Sequence, residues 1–186
     1  MSEILDNPNN YVNESEVSFL PVVRKYGLIM AAVSIIMTLV TSIIGMSNFA
    51  LMALIGLLAI AIMIIVPVLG LKEHRNNELG GLVSFGRAFL VCISILAVSV
   101  VLAAIFNFVY MNFINPGYVE TMKEGTREML EKFNAPEEQI EKSLEPLDQM
   151  KTMSGNLISI AKSLGLSAVI SLIIAAIMKR NRPIFN

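Results

Sequence analysis

Four long runs of apolar residues, separated by polar stretches, dominate the pattern along the chain. The first three runs carry no charged side chain, and the fourth carries only Lys162. A helix needs about 20 apolar residues to cross a bilayer, whereas a soluble helical bundle needs a polar face on each helix. The pattern therefore predicts an all-α, polytopic membrane protein with four transmembrane helices, at residues 27–46, 49–71, 88–114 and 157–178.

The segment between the third and fourth runs, residues 115–156, has a different pattern. Pro116 and Gly117 are expected to end the third span, because proline breaks the helical hydrogen-bond ladder and glycine turns freely. Apolar residues then recur at helical spacing among many charges, and Asn134 with Pro136 is expected to cap and restart a second helix. The segment is therefore predicted to be a helical extracytoplasmic hairpin. Its apolar stripes are covered by each other, by the membrane surface or by a partner, and we favour self-packing.

Composition agrees with a membrane location. Charged residues make up 16% of the chain, below the roughly one quarter that is usual in soluble domains. The formal net charge of −1 gives no support to a nucleic-acid partner. Cys92 is the single cysteine, which excludes an intrachain disulfide and a cysteine-rich metal site. No cofactor and no metal are predicted.

Basic residues lie close to three of the predicted span boundaries. Positively charged boundaries of this kind face the cytoplasm in most membrane proteins. Both termini are therefore expected to be cytoplasmic, with residues 1–23 as a polar tail and 24–186 as a single four-span domain. The tail contains acidic residues but no Lys or Arg, unlike a cleavable secretory leader. The eight boundary residues, of fourteen Lys and Arg in all, are Arg24, Lys25, Lys72, Arg75, Arg87, Lys179, Arg180 and Arg182.

The stretch GGLVSFGRAF, residues 80–89, has the glycine spacing of a phosphate-binding loop. Such a loop follows a buried strand and supplies a Lys with a Ser or Thr. Here a polar turn precedes the glycines, and Arg87 and Ala88 occupy those two positions, so nucleotide binding is not expected. Phe85 and Phe89 are instead one helical turn apart. We predict that these two rings and Arg87 are interface anchors, with Arg87 at lipid phosphates.

Small residues recur every four positions in the fourth span and, over a shorter stretch, in the first. This spacing lines one side of a helix and lets another helix approach closely. We therefore predict that both stripes face protein and can face each other, with a water-lined path along the serines as the alternative. The stripes are Gly155, Ser159, Ser163, Ser167, Ser171 and Ala175 in the fourth span, and Ser34, Thr38 and Ser42 in the first.

Two further polar residues within the spans are functional candidates. Lys162 is one because ionisable groups are costly in hydrocarbon and commonly mark pathways or sites. Its four-carbon stem also allows its ammonium to reach water at the nearby boundary, which is the interpretation we favour. Asn107 is expected to form a hydrogen bond between helices, and a substrate contact is the alternative.

Three stretches together resemble a known family. They are GGLVSFGRAF before the third span, IFNFVYMNFINPGY at its exit (residues 105–118), and the later APEEQIE. In order and spacing the chain resembles, over roughly residues 20–180, the small bacterial inner-membrane proteins that are catalogued only as a domain of unknown function. The resemblance implies a four-span protein of the bacterial cytoplasmic membrane, and it brings no reaction, ligand or catalytic residue.

The predicted function is that of a non-catalytic membrane protein, acting structurally, as a subunit or as an interaction partner. The expected partners are the lipid bilayer and a second copy or another membrane protein. The alternative is a small oligomeric transporter or channel that uses Lys162, Asn107 and the serine stripe. An enzyme acting at the membrane interface is disfavoured, because the polar loop after the second span offers only His74 with Glu73 and Glu78 as titratable groups.

Overall fold

The computed structural model describes residues 12–44 and 48–180. Three features expected from the sequence lie outside the described residues. They are the first eleven positions of the polar tail, the last two positions of the first predicted span, and the basic residue Arg182. The side chain of Phe49 is also not described.

Six α-helices follow one another along the described part of the chain. Four of them are long and apolar enough to cross a membrane, which confirms the predicted all-α fold with four spans. A single turn of π-helix extends the second span at His74–Glu78, and another extends the third at Tyr110–Ile114. The helices are α1 Leu20–Ile44, α2 Phe49–Glu73, α3 Phe85–Val109, α4 Tyr118–Lys132, α5 Glu137–Gln149 and α6 Met153–Met178.

Three of the four spanning helices, α1, α3 and α6, begin before the apolar runs that predicted them. The side chain of Ser84 accepts a hydrogen bond from the Arg87 amide at the start of α3, and that of Thr152 accepts one from the Gly155 amide at the start of α6. These caps satisfy amides that the first helical turn leaves unpaired, so each helix starts at its cap. The apolar runs locate the spans but not these starting points.

The connection between α2 and α3 turns at a pair of glycines. Gly80 and Gly81 have φ angles of 64° and 91°, in the left-handed region that residues with a Cβ rarely adopt. After them, Val83 pairs with Arg180 beyond α6, through two main-chain hydrogen bonds of 3.0 and 2.9 Å. This pair holds the start of α3 against the end of α6. We call this end of the bundle, which carries Arg75, Arg87 and Arg180, the basic end.

The third span is at the centre of the bundle. α3 packs along α1 and along α6, while α2 lies on α1 and α3 and meets α6 only sparsely. A continuous buried core joins all four spans near the basic end, with Leu71 of α2, Ile95 of α3 and Ala175 of α6 among its members. Towards the opposite end no such core joins α2 to α6 among the described residues.

The opposite end of the bundle, which we call the hairpin end, carries α4 and α5. Tyr118 and Val119 of α4 are buried in a cluster that Leu147 of α5 and Met150 help to cover, so part of the hairpin's apolar surface packs on itself, as expected. Ion pairs join the two helices as well. Glu137, 2.8 Å from Arg127, raises the pKa of that guanidinium, and Asp148 raises the pKa of Lys123 through a direct contact.

The expected role of Asn134 as the cap of α5 is wrong. Asn134 has a φ angle of 53°, and its amide donates to the Glu131 carbonyl at 2.9 Å. A left-handed residue after the last turn is a common way for a helix to end, and Asn tolerates that conformation better than most residues. Asn134 therefore ends α4, and Pro136 stands at the start of α5.

Candidate functional site: a cavity between the spans

A cavity of about 360 Å³ lies between α2 and α6, with α3 as its floor. It exists because α2 and α6 are held together at the basic end and separate towards the hairpin end. Side chains from all four spans line it. They include Met30 and Ser34 of α1, Ala59 and Met63 of α2, Leu96, Ser99, Ala103 and Asn107 of α3, and Asn156, Ser159, Ser163 and Leu166 of α6.

Two carboxamides lie at the same height in this cavity. Asn107 is 24 residues after Val83, and Asn156 is 24 residues before Arg180, along two antiparallel helices that start from a paired main chain. At 1.5 Å per residue both lie about 36 Å from that pair. The hydrocarbon core of a bilayer is about 30 Å thick. With the Val83–Arg180 pair placed at the edge of the hydrocarbon core on the basic side, the carboxamides lie near its other edge.

Several polar groups of the lining have hydrogen-bonding capacity to spare. Asn107 Oδ1 accepts a hydrogen bond from Thr38 at 3.1 Å, which leaves the Nδ2 donors unpaired. If the amide is flipped, so that its oxygen and nitrogen exchange places, one polar atom is still left without a partner. In the part of the chain that the structure describes, no protein partner is found for the side chains of Asn156, Ser99, Ser159 and Ser163.

Not every serine of the spans is free in this way. Ser34 donates to the Met30 carbonyl at 2.9 Å, and Ser167 donates to the Ser163 carbonyl at 2.7 Å, as hydroxyls in apolar helices commonly do. The hydroxyls of Ser159 and Ser163 instead border the cavity. Among the residues that the structure describes, no Asp, Glu, His, Cys, Lys or Arg lines the cavity. It offers neutral hydrogen-bonding groups within a mainly apolar wall.

Part of each small-residue stripe packs against the third span. In α6, Gly155, Ser167, Ser171 and Ala175 are buried, and the helix packs on α3. The stripe of α1 reaches the third span as well, through Thr38 to Asn107 of α3 and through Ser42 to the hydroxyl of Tyr110, in the π turn after α3, at 2.6 Å. Both stripes thus meet the central span, and Ser34, Ser159 and Ser163 of the two stripes border the same cavity.

Lys162 does not join the cavity. Its side chain is exposed on α6, outside the lining, and no hydrogen bond or ion pair of its ammonium is found among the described residues. Along α6 it lies 18 residues, or about 27 Å, from Arg180. The structure therefore separates Lys162 from Asn107, which the transport hypothesis had grouped with it. Its extension to water remains a prediction.

Arg87, predicted to be an interface anchor at lipid phosphates, makes several contacts with protein groups, and its contact with lipid remains a prediction. Its Nε donates to His74 Nε2 at 3.1 Å, a second nitrogen donates to the Val17 carbonyl, and the guanidinium lies 4.7 Å from the centre of the Phe19 ring. Of the two phenylalanines, Phe89 packs against the core and Phe85 is 40% exposed. These contacts fold the segment before α1 over the start of α3.

His74 is fully buried, which contradicts its expected position in a polar loop. Its Nε2 accepts from Arg87, so the ring proton of the neutral imidazole is on Nδ1, 2.8 Å from Glu78 Oε2. Glu14 binds to the nearby start of α3. Its carboxylate accepts hydrogen bonds from the amide and the hydroxyl of Ser84, at 2.6 and 2.5 Å. A helix N-terminus favours such a negative group.

The segment from within α1 to just beyond α6 matches one family model. This model is described as a protein of unknown function (DUF4199), and the match covers residues 25–180. The chain belongs to the DUF4199 family. Except for the first turn of α1, the four spans lie within the match, as do the hairpin and the cavity, which confirms the resemblance of this DUF4199 protein to a family of unknown function with four apolar helices. No curated protein and no solved structure matches the chain significantly.

Sequence reasoning found part of the cavity of this DUF4199 protein. Asn107, Ser34, Ser159 and Ser163 were singled out, and all four line it. Ser99 and Asn156 were missed, because Ser99 belongs to no stripe and Asn156 lies just before the apolar run. The signal that could have found Asn156 is its position opposite Asn107 once the third and fourth spans are paired antiparallel. No cluster of metal-ligating side chains is found among the described residues.

Proposed function

We propose that this DUF4199 protein acts by binding and not by catalysis, as an integral membrane protein that holds a small molecule in the cavity between its spans. The observation that carries the proposal is the lining, where hydrogen-bonding groups without protein partners lie among apolar side chains. Small-molecule sites commonly have this composition and a volume of about 300–1,000 Å³. The cavity, at about 360 Å³, is within that range.

The chemistry of the lining supports a non-enzymatic role. Acid–base catalysis requires a titratable side chain within hydrogen-bond reach of the reacting group, and the lining supplies none. A serine hydroxyl is a weak nucleophile unless a base lies beside it. Ser99, Ser159 and Ser163 border the cavity without such a base. These hydroxyls are suited to hydrogen bonding.

Filling the cavity tests the binding role. We expect the wild-type protein, released from nanodiscs into native mass spectrometry, to retain a small molecule of reproducible mass. Ala103→Phe places a ring in the cavity and abolishes this retention. Ala161→Phe is the matched control, because Ala161 is exposed on α6 outside the lining, at nearly the same depth. Equal retention by all three proteins, or none by the wild type, contradicts the proposal.

A transporter or channel is the second candidate. It is favoured by the position of Asn107, Ser159 and Ser163, which together border one cavity as that function requires. It loses support from Lys162, which lies outside the lining. A solute flux into vesicles that Ala103→Phe blocks and Lys162→Met leaves unchanged would favour transport through this cavity over static binding.

We further propose a setting for this protein: a bacterial cytoplasmic membrane, with both termini and the basic end on the cytoplasmic side. Support comes from the basic residues that cluster at one end of the bundle. Beside bilayer lipid, we propose a second copy of the chain or another membrane protein as a partner. A lipid-facing surface leaves room for such contacts.

A further inference from the structure

We infer that the molecule held in the cavity is an uncharged lipid ester, with an ester carbonyl at Asn107 and Asn156 and its acyl chain directed towards the basic end. This assignment rests on the binding role proposed above and names the class of ligand. Three features of the cavity support it. They are the height of its two carboxamides, the hydrogen-bond donors that these carboxamides leave free, and the absence of charged side chains from the described lining.

The height of the two carboxamides matches the position of lipid esters. Both lie about 36 Å from the Val83–Arg180 pair, and the hydrocarbon core of a bilayer is about 30 Å thick. Ester groups of lipids lie where the hydrocarbon ends and the headgroups begin. A lipid that enters the cavity from the bilayer therefore brings its carbonyls to the height of Asn107 and Asn156 without a change in depth.

The free groups at this height include hydrogen-bond donors. With Oδ1 of Asn107 engaged by Thr38, its Nδ2 is left as a donor, and the amide of Asn156 supplies donors whichever way it is turned. Unpaired polar groups are costly away from water, so an occupant that accepts hydrogen bonds here is favoured over plain hydrocarbon. An ester carbonyl accepts and does not donate. The Ser159 hydroxyl, about one helical turn deeper, can donate to a second ester oxygen.

The lower part of the cavity is suited to an acyl chain. Met30, Met63, Leu96 and Leu166 line it, with no charge among them. Methionine side chains are flexible and fill irregular space, so they can adapt to a chain of variable conformation. From Asn107 down to Leu96 is 11 residues, or about 16 Å along α3. The occupant is therefore an amphiphile with its polar part at the hairpin end.

The composition of the lining also favours uncharged lipids over phospholipids. Phosphate recognition normally uses Arg or Lys, and neither lines the cavity. The nearest basic residue in sequence to the cavity mouth is Lys151, and its ammonium donates to the Pro116 carbonyl at 2.6 Å. The ligand class that fits is a diacylglycerol, which has ester carbonyls and acyl chains without a charged headgroup.

Dioleoylglycerol in phosphatidylcholine nanodiscs is the probe for this assignment. We expect wild-type protein to retain dioleoylglycerol in native mass spectrometry in preference to the far more abundant phospholipid. Asn107→Leu and Asn156→Leu each lower the retained fraction about fivefold to tenfold, which corresponds to one hydrogen bond of typical net strength. Asn112→Leu is the matched control and leaves retention unchanged, because Asn112 bonds to the Phe108 carbonyl within its own helix and lies outside the lining.

The outcomes distinguish this assignment from the binding role itself. If the wild type retains no molecule, or if Ala103→Phe changes nothing, the binding role fails. If the wild type retains a molecule but both asparagine variants behave like Asn112→Leu, the binding role stands and the ester contact is wrong. If phosphatidylcholine is retained as well as dioleoylglycerol at equal supply, the restriction to uncharged lipids is wrong. Asn156→Leu disrupts no hydrogen bond of the described chain, so loss of folding does not explain its effect.

Discussion

At the scale of single residues, the basic end is organised around Arg87. Its guanidinium satisfies a ring nitrogen of the buried His74 and the carbonyl of Val17, and its face covers Phe19. Buried polar groups that lose their only partner destabilise a fold by about 1–3 kcal/mol each. The side chain therefore contributes to stability in a way that a lipid anchor would not.

Removal of Arg87 tests this role. We expect Arg87→Leu to lower the free energy of unfolding by about 2–4 kcal/mol, because it leaves His74 Nε2 and the Val17 carbonyl unpaired. Thermal unfolding in detergent measures the change. Arg24→Leu removes the same charge from an exposed position of α1 and should have little effect. A similar loss in both variants would show that net charge is the cause and not these contacts.

The sequence could not predict the burial of His74. The segment HRNNE is polar and reads as a loop, and its only local partner is Glu78, one helical turn away. Burial depends on Arg87 and on the segment before α1, and both are distant along the chain. Long-range pairing of polar groups leaves no periodic trace in a single sequence. The same holds for Glu14 and Ser84.

At the scale of helices, the close approach of α1 to α3 depends on a missing side chain. A Cβ at Gly27 would lie 2.8 Å from Val98 Cγ1 and 2.9 Å from Val98 Cβ. Valine is branched at Cβ and has few rotamers to move into. The two helices can therefore approach this closely only because residue 27 is glycine, and that contact positions α3 for its other neighbours.

A larger residue at this position should separate the helices. We expect Gly27→Val to destabilise the fold by about 1–3 kcal/mol, the usual cost of overpacking, as measured by thermal unfolding in detergent. Gly56→Val is the control, because nothing lies within 4 Å of the corresponding Cβ on α2. A variant Gly27→Val as stable as Gly56→Val would refute the close α1–α3 contact.

The helices themselves were largely predictable, and their ends were not. Apolar runs locate the four spans because every peptide group in hydrocarbon must be paired within a helix. Their ends depend on caps such as Ser84 and Thr152, which lie outside the apolar runs. The small-residue stripes indicated that α1 and α6 face protein. They could not identify α3 as the helix they both face, because a stripe does not specify its partner.

At the scale of the whole molecule, orientation in the membrane is open to a direct test. In a Cys92→Ser background, Glu141→Cys on α5 should react with a membrane-impermeant thiol reagent added to intact cells, because the hairpin end is proposed to face outwards. Asn77→Cys, exposed at the basic end, should react only after lysis. Both residues are exposed, so accessibility of the thiol is matched. The reverse labelling pattern would invert the proposed topology.

The number of spans was predicted from the sequence, but the cavity was not. Asn107, Ser159 and Ser163 were recognised as polar positions within spans, and their convergence follows from how α2 and α6 separate. That separation is a property of packing at the basic end, where the core joins all four spans. Hydropathy measures how strongly each residue type prefers apolar surroundings to water. It carries no information on the angle between two helices.

The main-chain pair between Val83 and Arg180 closes one end of the bundle, while the gap between α2 and α6 is at the other. The cavity is therefore nearer to one leaflet of the membrane than to the other. On the proposed binding role, a lipid in the cavity would exchange with the leaflet nearest the hairpin, because the cavity lies towards that end. A change in lipid composition restricted to the far monolayer should leave the occupancy of the cavity unchanged. An equal change in the near monolayer should alter it.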